Sequence, residues 1–249
     1  MAFFKDTNEK DTPPAVTAAR RWLHAVAGHF TFNVCMGGAH CISLAPGIVL
    51  TYLFWNTGSL LFLAAGILLL GFAGTVWTAI HRMAWSLQFG FPVYLFKEFG
   101  QNLKKNFRQG WCLGVILAAM WAMVASPLYL AQTIQQELPV AVVCIMGAAA
   151  LLLCVISSYA HYQLSRYELS VGAALRNSFL LLFSMGWRSV AVCLLWIAFA
   201  VAAVFAAHIL LPVCLLCGLT VILCITEQAF LAPRIDKLMT PANSCEKEI

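Results

Sequence analysis

Charged positions cut this chain into long apolar blocks. Trp22 to His81 contains no Asp, Glu, Lys or Arg, and the same holds for Gln109–Gln136, Leu138–Ser165 and Ser189–Thr226. A membrane-crossing helix needs about 20 consecutive apolar residues. The first block holds two such helices, divided at Trp55-Asn56-Thr57-Gly58-Ser59, which predicts spans over 30–54 and 59–80. The second and third blocks predict spans over 111–132 and 139–162, joined through Gln132 to Pro139. The fourth is long enough for two spans, 188–207 and 211–231, split between His208 and Pro212. Proline is tolerated in the first turn of a helix, so Pro212 opens the last of them. The expected organisation is an N-terminal tail over 1–24, a six-helix domain over 25–232 and a C-terminal tail over 233–249.

The basic residues supply an independent test. Lys5, Lys10, Arg20 and Arg21 precede the first span, and Arg82, Lys97, Lys104, Lys105 and Arg108 follow the second. Arg166, Arg176 and Arg188 follow the fourth, and Arg234, Lys237 and Lys247 follow the sixth. The three opposite connections carry none. Short loops rich in Lys and Arg stay in the cytosol, so both termini are expected inside.

Composition agrees. Hydrophobic residues make up 62% and charged residues 10% of the 249, with a mean hydropathy of +0.84. A soluble domain carries about 45–50% apolar and about 25% charged residues, so the charges here are too few to cover a water-facing surface. Disorder is excluded by the same figures. The net charge of +5 sits beside apolar runs, where it sets orientation, and no nucleic-acid partner is expected. Nine of the ten cysteines lie in or beside those runs and read as small apolar packing residues. Residues 1–21 are polar and of mixed charge, unlike a cleavable signal peptide.

Residues 92–109 are expected to form a cytoplasmic amphipathic helix before the third span. Leu95, Phe96, Phe99, Leu103, Phe107 and Trp111 recur at three- or four-residue spacing, while Lys97, Gln101, Lys104, Lys105 and Arg108 fall elsewhere. Such a helix lies in the membrane interface, and anionic inner-leaflet lipids favour its cations. A weaker counterpart covers 168–186, with a short echo between Leu103-Lys-Lys-Asn-Phe107 and Leu175-Arg-Asn-Ser-Phe179. The echo hints at a repeat of three helices plus three, a pattern found in many transporters.

Asn33, the Ser43–Gly47 stretch, the Phe96–Gly110 segment and the last span leading into Pro233 and Asp236 together resemble the YesL-like family of bacterial membrane proteins. The resemblance spans roughly residues 25–238. It implies a multi-pass protein of the bacterial cytoplasmic membrane, with genes often beside carbohydrate uptake systems. It implies no established activity and no catalytic residues.

Glu227 is the ionisable residue that stands out inside a span. Such groups usually face a bundle interior or a cavity. It reads either as a coupling carboxylate or as the structural partner of a cation such as Arg234. His40 lies mid-span with Asn33, Ser43 and Pro46 on the same helix, and Gly37-Gly38 and Pro46-Gly47 are candidate breaks that would expose backbone to a substrate or ion. The alternative is close helix packing through small residues. His24, His29, His81, His161 and His208 fall near span ends, where interfacial placement accounts for them. Cys214-Leu-Leu-Cys217 has the spacing of a metal or redox pair but lacks a second ligand pair.

No phosphate loop, nucleophile elbow or paired general acid and base is visible, so no enzyme, cofactor or metal is expected. The sequence reads as an all-α polytopic membrane protein. Its expected role is that of a non-enzymatic accessory protein bound to a membrane component of carbohydrate uptake. A small-solute transporter or channel is the alternative. A permease subunit docking an ATPase ranks last, because Glu168-Leu-Ser-Val-Gly172 matches a coupling segment poorly.

Overall fold

The computed structural model describes residues 14–89, 94–167, 169–205 and 219–239. Among these, all regular structure is helical. The helices are α1 (Pro14–Ala27), α2 (Phe30–Thr57), α3 (Leu60–Gln88), α4 (Leu95–Thr133), α5 (Val140–Arg166), α6 (Val171–Ser184), α7 (Trp187–Phe205) and α8 (Leu219–Met239). Four of them, α2 to α5, are long and apolar enough to cross a membrane. The pair α6 and α7, bent by 103° between them, supplies a fifth if counted together. The expected sixth span lies partly outside the described residues, as do His208, Pro212, Cys214 and Cys217. Its described portion is α8, with a short apolar stretch at Thr220–Ala229.

The helix ends follow local chemistry. Gly58 takes the left-handed conformation (φ 69°) after α2, and its N–H closes on the Phe54 carbonyl at 2.8 Å. Ser170 caps α6 by accepting from the Ala173 N–H. Gly186 (φ 51°) makes the sharp corner into α7. Left-handed backbone is where glycine holds its advantage over other residues.

Two expectations about α2 and α4 are corrected. The Gly37-Gly38 and Pro46-Gly47 positions do not break the first apolar helix, which runs unbroken from Phe30 to Thr57 with Pro46 inside it. The amphipathic segment is not a separate helix either. It is the first part of α4, whose 39 residues extend about 58 Å at 1.5 Å per residue. That is nearly twice the roughly 30 Å of a hydrocarbon core.

The single apolar face read for that segment also divides. Leu95, Phe99 and Leu103 pack inward against a core of Phe32, Met36, Met83 and Leu87. Phe96 stays 79% exposed and Phe107 48%. Trp111 donates its indole N–H to the Leu68 carbonyl at 3.1 Å. A helix fixed by tertiary contacts on one side cannot lie flat with all its aromatics in lipid.

Among the described residues, α3 and α4 approach backbone to backbone. A Cβ on Gly74 would fall 2.5 Å from the Gly114 Cα, and one on Gly110 would fall 2.8 Å from the Thr75 Cα. Gly110 and Gly114 form the small-xxx-small spacing that lets membrane helices approach backbone to backbone.

Burial is uneven along the bundle. Residues 73–85 of α3 and 158–165 of α5 are nearly all buried or close to it, including Thr75, Thr78, His81, Ser158, His161, Gln163 and Ser165. The same end carries Arg82, Lys97, Lys104, Lys105, Arg108 and Arg166. At the other end Leu60, Leu61, Met123, Leu130, Val140, Val143 and Ile145 are exposed.

Candidate functional site

The deepest polar cluster sits where α3, α5, α7 and α8 meet. Turns of α8 present Cys224, Glu227, Gln228 and Leu231 to the interior, and all four are buried. Glu227 is fully inaccessible, and its Oε1 accepts from the Ser158 hydroxyl of α5 at 2.9 Å. The Trp196 indole N–H of α7 donates to the same hydroxyl oxygen at 3.4 Å. Glu227 Oε2 is buried with no hydrogen-bond partner. The expected structural pairing with Arg234 is not made, since Arg234 points to the exterior.

Gln228 ties α8 to α3. Its Nε2 donates to the His81 carbonyl at 2.8 Å and lies 3.1 Å from His81 Nδ1. Gln88 of α3 returns the connection by donating to the Ile225 carbonyl at 2.8 Å. The Thr78 hydroxyl lies 2.9 Å from His161 Nδ1, and the His81 and His161 rings stack with centroids 6.1 Å apart. His40 stands against Trp77 at 4.6 Å, and Trp77 meets His81 edge-on at 5.1 Å. His40, Trp77, His81 and His161 therefore form one continuous row of rings. His40 Nδ1 and His81 Nε2 are buried without partners.

Beside this row lies a chamber of about 360 Å³. His40 and Leu44 of α2, Trp77 of α3, Trp121 of α4, His161 of α5 and Trp196 of α7 are among the residues that line it. The wall is mainly apolar, with His40, Ser157, His161 and Thr220 as its polar points. Cys154 and Leu223 also line it, and Trp196 bonds the same Ser158 hydroxyl that donates to Glu227. The volume lies within the roughly 300–1,000 Å³ of small-molecule sites.

The four residues read with Glu227 as one intramembrane site do not converge. Only His40 reaches the chamber. Asn33 is buried at the α1–α2 junction, donating to the Val26 carbonyl at 3.0 Å and the Ala25 carbonyl at 3.4 Å. Ser43 donates back to the His40 carbonyl at 2.6 Å within its own helix. Pro46 faces outward. The interfacial reading of His81 and His161 is also overturned, because both are at most 3% exposed. They stood near the ends of uncharged blocks, but the helices continue past them to Gln88 and Arg166. The residues missed by the sequence reading, Thr78, Ser158, Gln228 and Gln163, share one signal: polar groups gathered at one end of each apolar block. Lys105 and Arg108, expected in the interfacial face, line a second cavity near Arg82 and Arg166, and Lys104, Lys105 and Arg108 are all exposed.

Among the described residues there is no cluster of three or more His, Cys, Asp or Glu able to hold a metal ion. The sequence matches no family model, no curated protein and no solved structure.

Proposed function

We propose that this chain is a six-span protein of the bacterial cytoplasmic membrane, with both termini in the cytosol, that carries a small solute through the chamber between α2, α3, α4, α5 and α7. The ligand class that suits the wall is a largely apolar molecule with one hydrogen-bonding group, read by His40 or His161. The observation carrying this reading is the chamber itself, with the unpartnered His40 nitrogen on its wall and the lining residue Trp196 bonded to the serine that holds the Glu227 carboxyl. Ionisable groups inside an apolar span are costly and often mark ion or proton pathways. The absence of basic residues from one end of the bundle supports the orientation.

Proteoliposomes loaded with a pH-reporting dye test the proposal against a series of small neutral solutes. A solute-dependent signal is expected, lost in Glu227→Gln and in Ala118→Phe, which fills the chamber. A signal indifferent to both substitutions, or none with any solute, would remove the transport reading. A tag inserted near Gln135 should be reached only from outside the cell.

Exposed Phe96 and Phe107 on the first part of α4 favour a second reading, the accessory protein of a carbohydrate uptake system expected from the sequence. Recovery of the same membrane partner in mild detergent, lost in Phe96→Ser, supports that alternative.

A further inference from the structure

Aromatic rings wall much of the chamber. Trp77 of α3, Trp121 of α4 and Trp196 of α7 line it together with the imidazoles of His40 and His161. Aromatic rings attract one another beyond the area they bury. A dry cavity of about 150 Å³ holds one benzene. This one, at about 360 Å³, has room for a second fused ring and a small substituent. We propose that the chamber, as the solute site of the transport reading on which this rests, takes a planar aromatic molecule of one or two rings whose single polar group is a hydrogen-bond donor, an N–H or O–H.

The direction of that hydrogen bond follows from Thr78. Its hydroxyl donates to the Gly74 carbonyl one turn back at 2.9 Å, a habit of threonine inside helices. A hydroxyl has one proton, and here it is committed. The same oxygen lies 2.9 Å from His161 Nδ1, so in that contact the oxygen accepts and Nδ1 carries the hydrogen. His161 is 3% exposed and makes no other hydrogen bond among the described residues. A second proton on the ring would be buried without an acceptor, which is costly, so Nε2 is a bare lone pair. His161 lines the chamber with Nδ1 already engaged, and Nε2 is the nitrogen left for a ligand. A group meeting it must donate.

The other polar points do not oppose this choice. His40 Nδ1 and Thr220 Oγ1 are buried without partners, and both residues line the chamber. His40 stands against Trp77, but no hydrogen bond fixes its tautomer, and a hydroxyl turns to suit what it meets. Both adapt to a donor or an acceptor. Of the three, only His161 is set, and Thr78 is the positioning residue behind it. A ligand without a donor leaves that lone pair buried and unpaired, a mismatch that costs more than the bond itself gains.

Calorimetry on the full-length protein in detergent tests the assignment. Indole, 1-methylindole and quinoline share a two-ring shape and present a donor, a blocked nitrogen and an acceptor. Indole is expected to bind about tenfold more tightly than either of the others, the scale of one buried hydrogen bond. Phenol should bind more tightly than cyclohexanol, which keeps the hydroxyl and loses the plane. His161→Phe retains an aromatic wall and should bring the three two-ring ligands to equal affinity. Thr78→Val releases the tautomer and should narrow the gap while leaving binding intact. Ala118→Phe, which fills the chamber, gives the background of partition into the micelle. Nitrogen-15 spectra of the unsubstituted protein need no variant to fold: His161 should show a protonated Nδ1 and a bare Nε2, and indole should shift Nε2 the more. Equal affinities across the two-ring series, a preference for quinoline, a gap untouched by His161→Phe or a protonated Nε2 overturns the assignment. Donor-selective binding without a proteoliposome signal removes the transport reading and leaves the ligand class standing, whereas a signal from solutes regardless of donor does the reverse.

Discussion

The two ends of this bundle invert the usual relation between polarity and burial, each in its own way. At the basic end, polar side chains are inside: Thr78, His81, Ser158, His161, Gln163, Glu227 and Gln228 are all buried. At the opposite end, apolar side chains are outside: Leu60, Leu61, Met123, Val140, Val143 and Ile145 are more than half exposed. An exposed apolar surface of this extent marks contact with lipid or with another protein. Where the surroundings are lipid, apolar contact between helices gains little over apolar contact with tails. Association then rests on close packing and interhelical hydrogen bonds. The basic end has both, through the Gly74–Gly114 crossing and the Gln228–His81 and Glu227–Ser158 pairs. The opposite end has few, and its helices are free to present their apolar surface outward.

Substitutions that remove the devices of one end should therefore act strongly there and weakly at the other. The largest effect is expected for Gly74→Leu. Its side chain has no room against Gly114 and Gly110, and overpacking of this kind costs about 3 kcal/mol or more. Gly147→Leu on α5, where a Cβ meets nothing within 4 Å, should be neutral. Thermal unfolding in detergent compares the two, and equal losses would contradict the contrast. Gln228→Leu comes next. It strips the bonds to His81 and is expected to cost about 1–2 kcal/mol, the upper part of the range for interhelical hydrogen bonds in membranes. Trp85→Phe keeps the ring but weakens its attraction for Arg166 and Arg82, with an expected loss of about 0.5–1 kcal/mol. It should also broaden the guanidinium resonances.

Apolar block lengths made the helices from α2 to α5 legible, because a uniform apolar surroundings writes its thickness directly into the sequence. The same uniformity hid which face of each helix points inward. In α5, Val143 and Ile145 look like core positions and His161 like a boundary residue, yet burial runs the other way. The continuity of α4 was hidden for a related reason. Lys104, Lys105 and Arg108 mark where the apolar stretch ends, and a helix needs no break to run on past it. Glu227 was legible as an interior group, since a carboxyl in an apolar run has few places to be. Its partner was not, because a neutral serine on α5 stood where a cation was expected. The chamber escaped for a simpler reason: it depends on how far apart α2, α4 and α7 stand, and spacing between helices leaves no pattern along the chain.

The smallest expected effect concerns pH, and it sharpens the contrast between the ends. His29 sits at the α1–α2 junction of the basic end, outside the apolar span, with its ring 5.1 Å from that of His24. Partial burial, and then repulsion from His24, lower its pKa from the ordinary 6.5. The folded state thus takes up a proton here less readily than the unfolded chain. Below about pH 6.5 the unfolded state binds more protons, so stability falls as the pH drops through that region and is recovered above it. His29 is only partly buried, which keeps the effect small. His29→Gln should flatten the loss between pH 7.5 and 5.5, and His24→Gln should reduce it in part. The loosening should begin at α1, where Trp22 donates to Thr226 and Asn33 holds the junction. Thiol labelling can locate it: Cys35 on α2 should become more reactive toward a reagent in acid, whereas exposed Cys144 on α5 should not change. Equal acid sensitivity at both cysteines would mean that the bundle loosens as one unit.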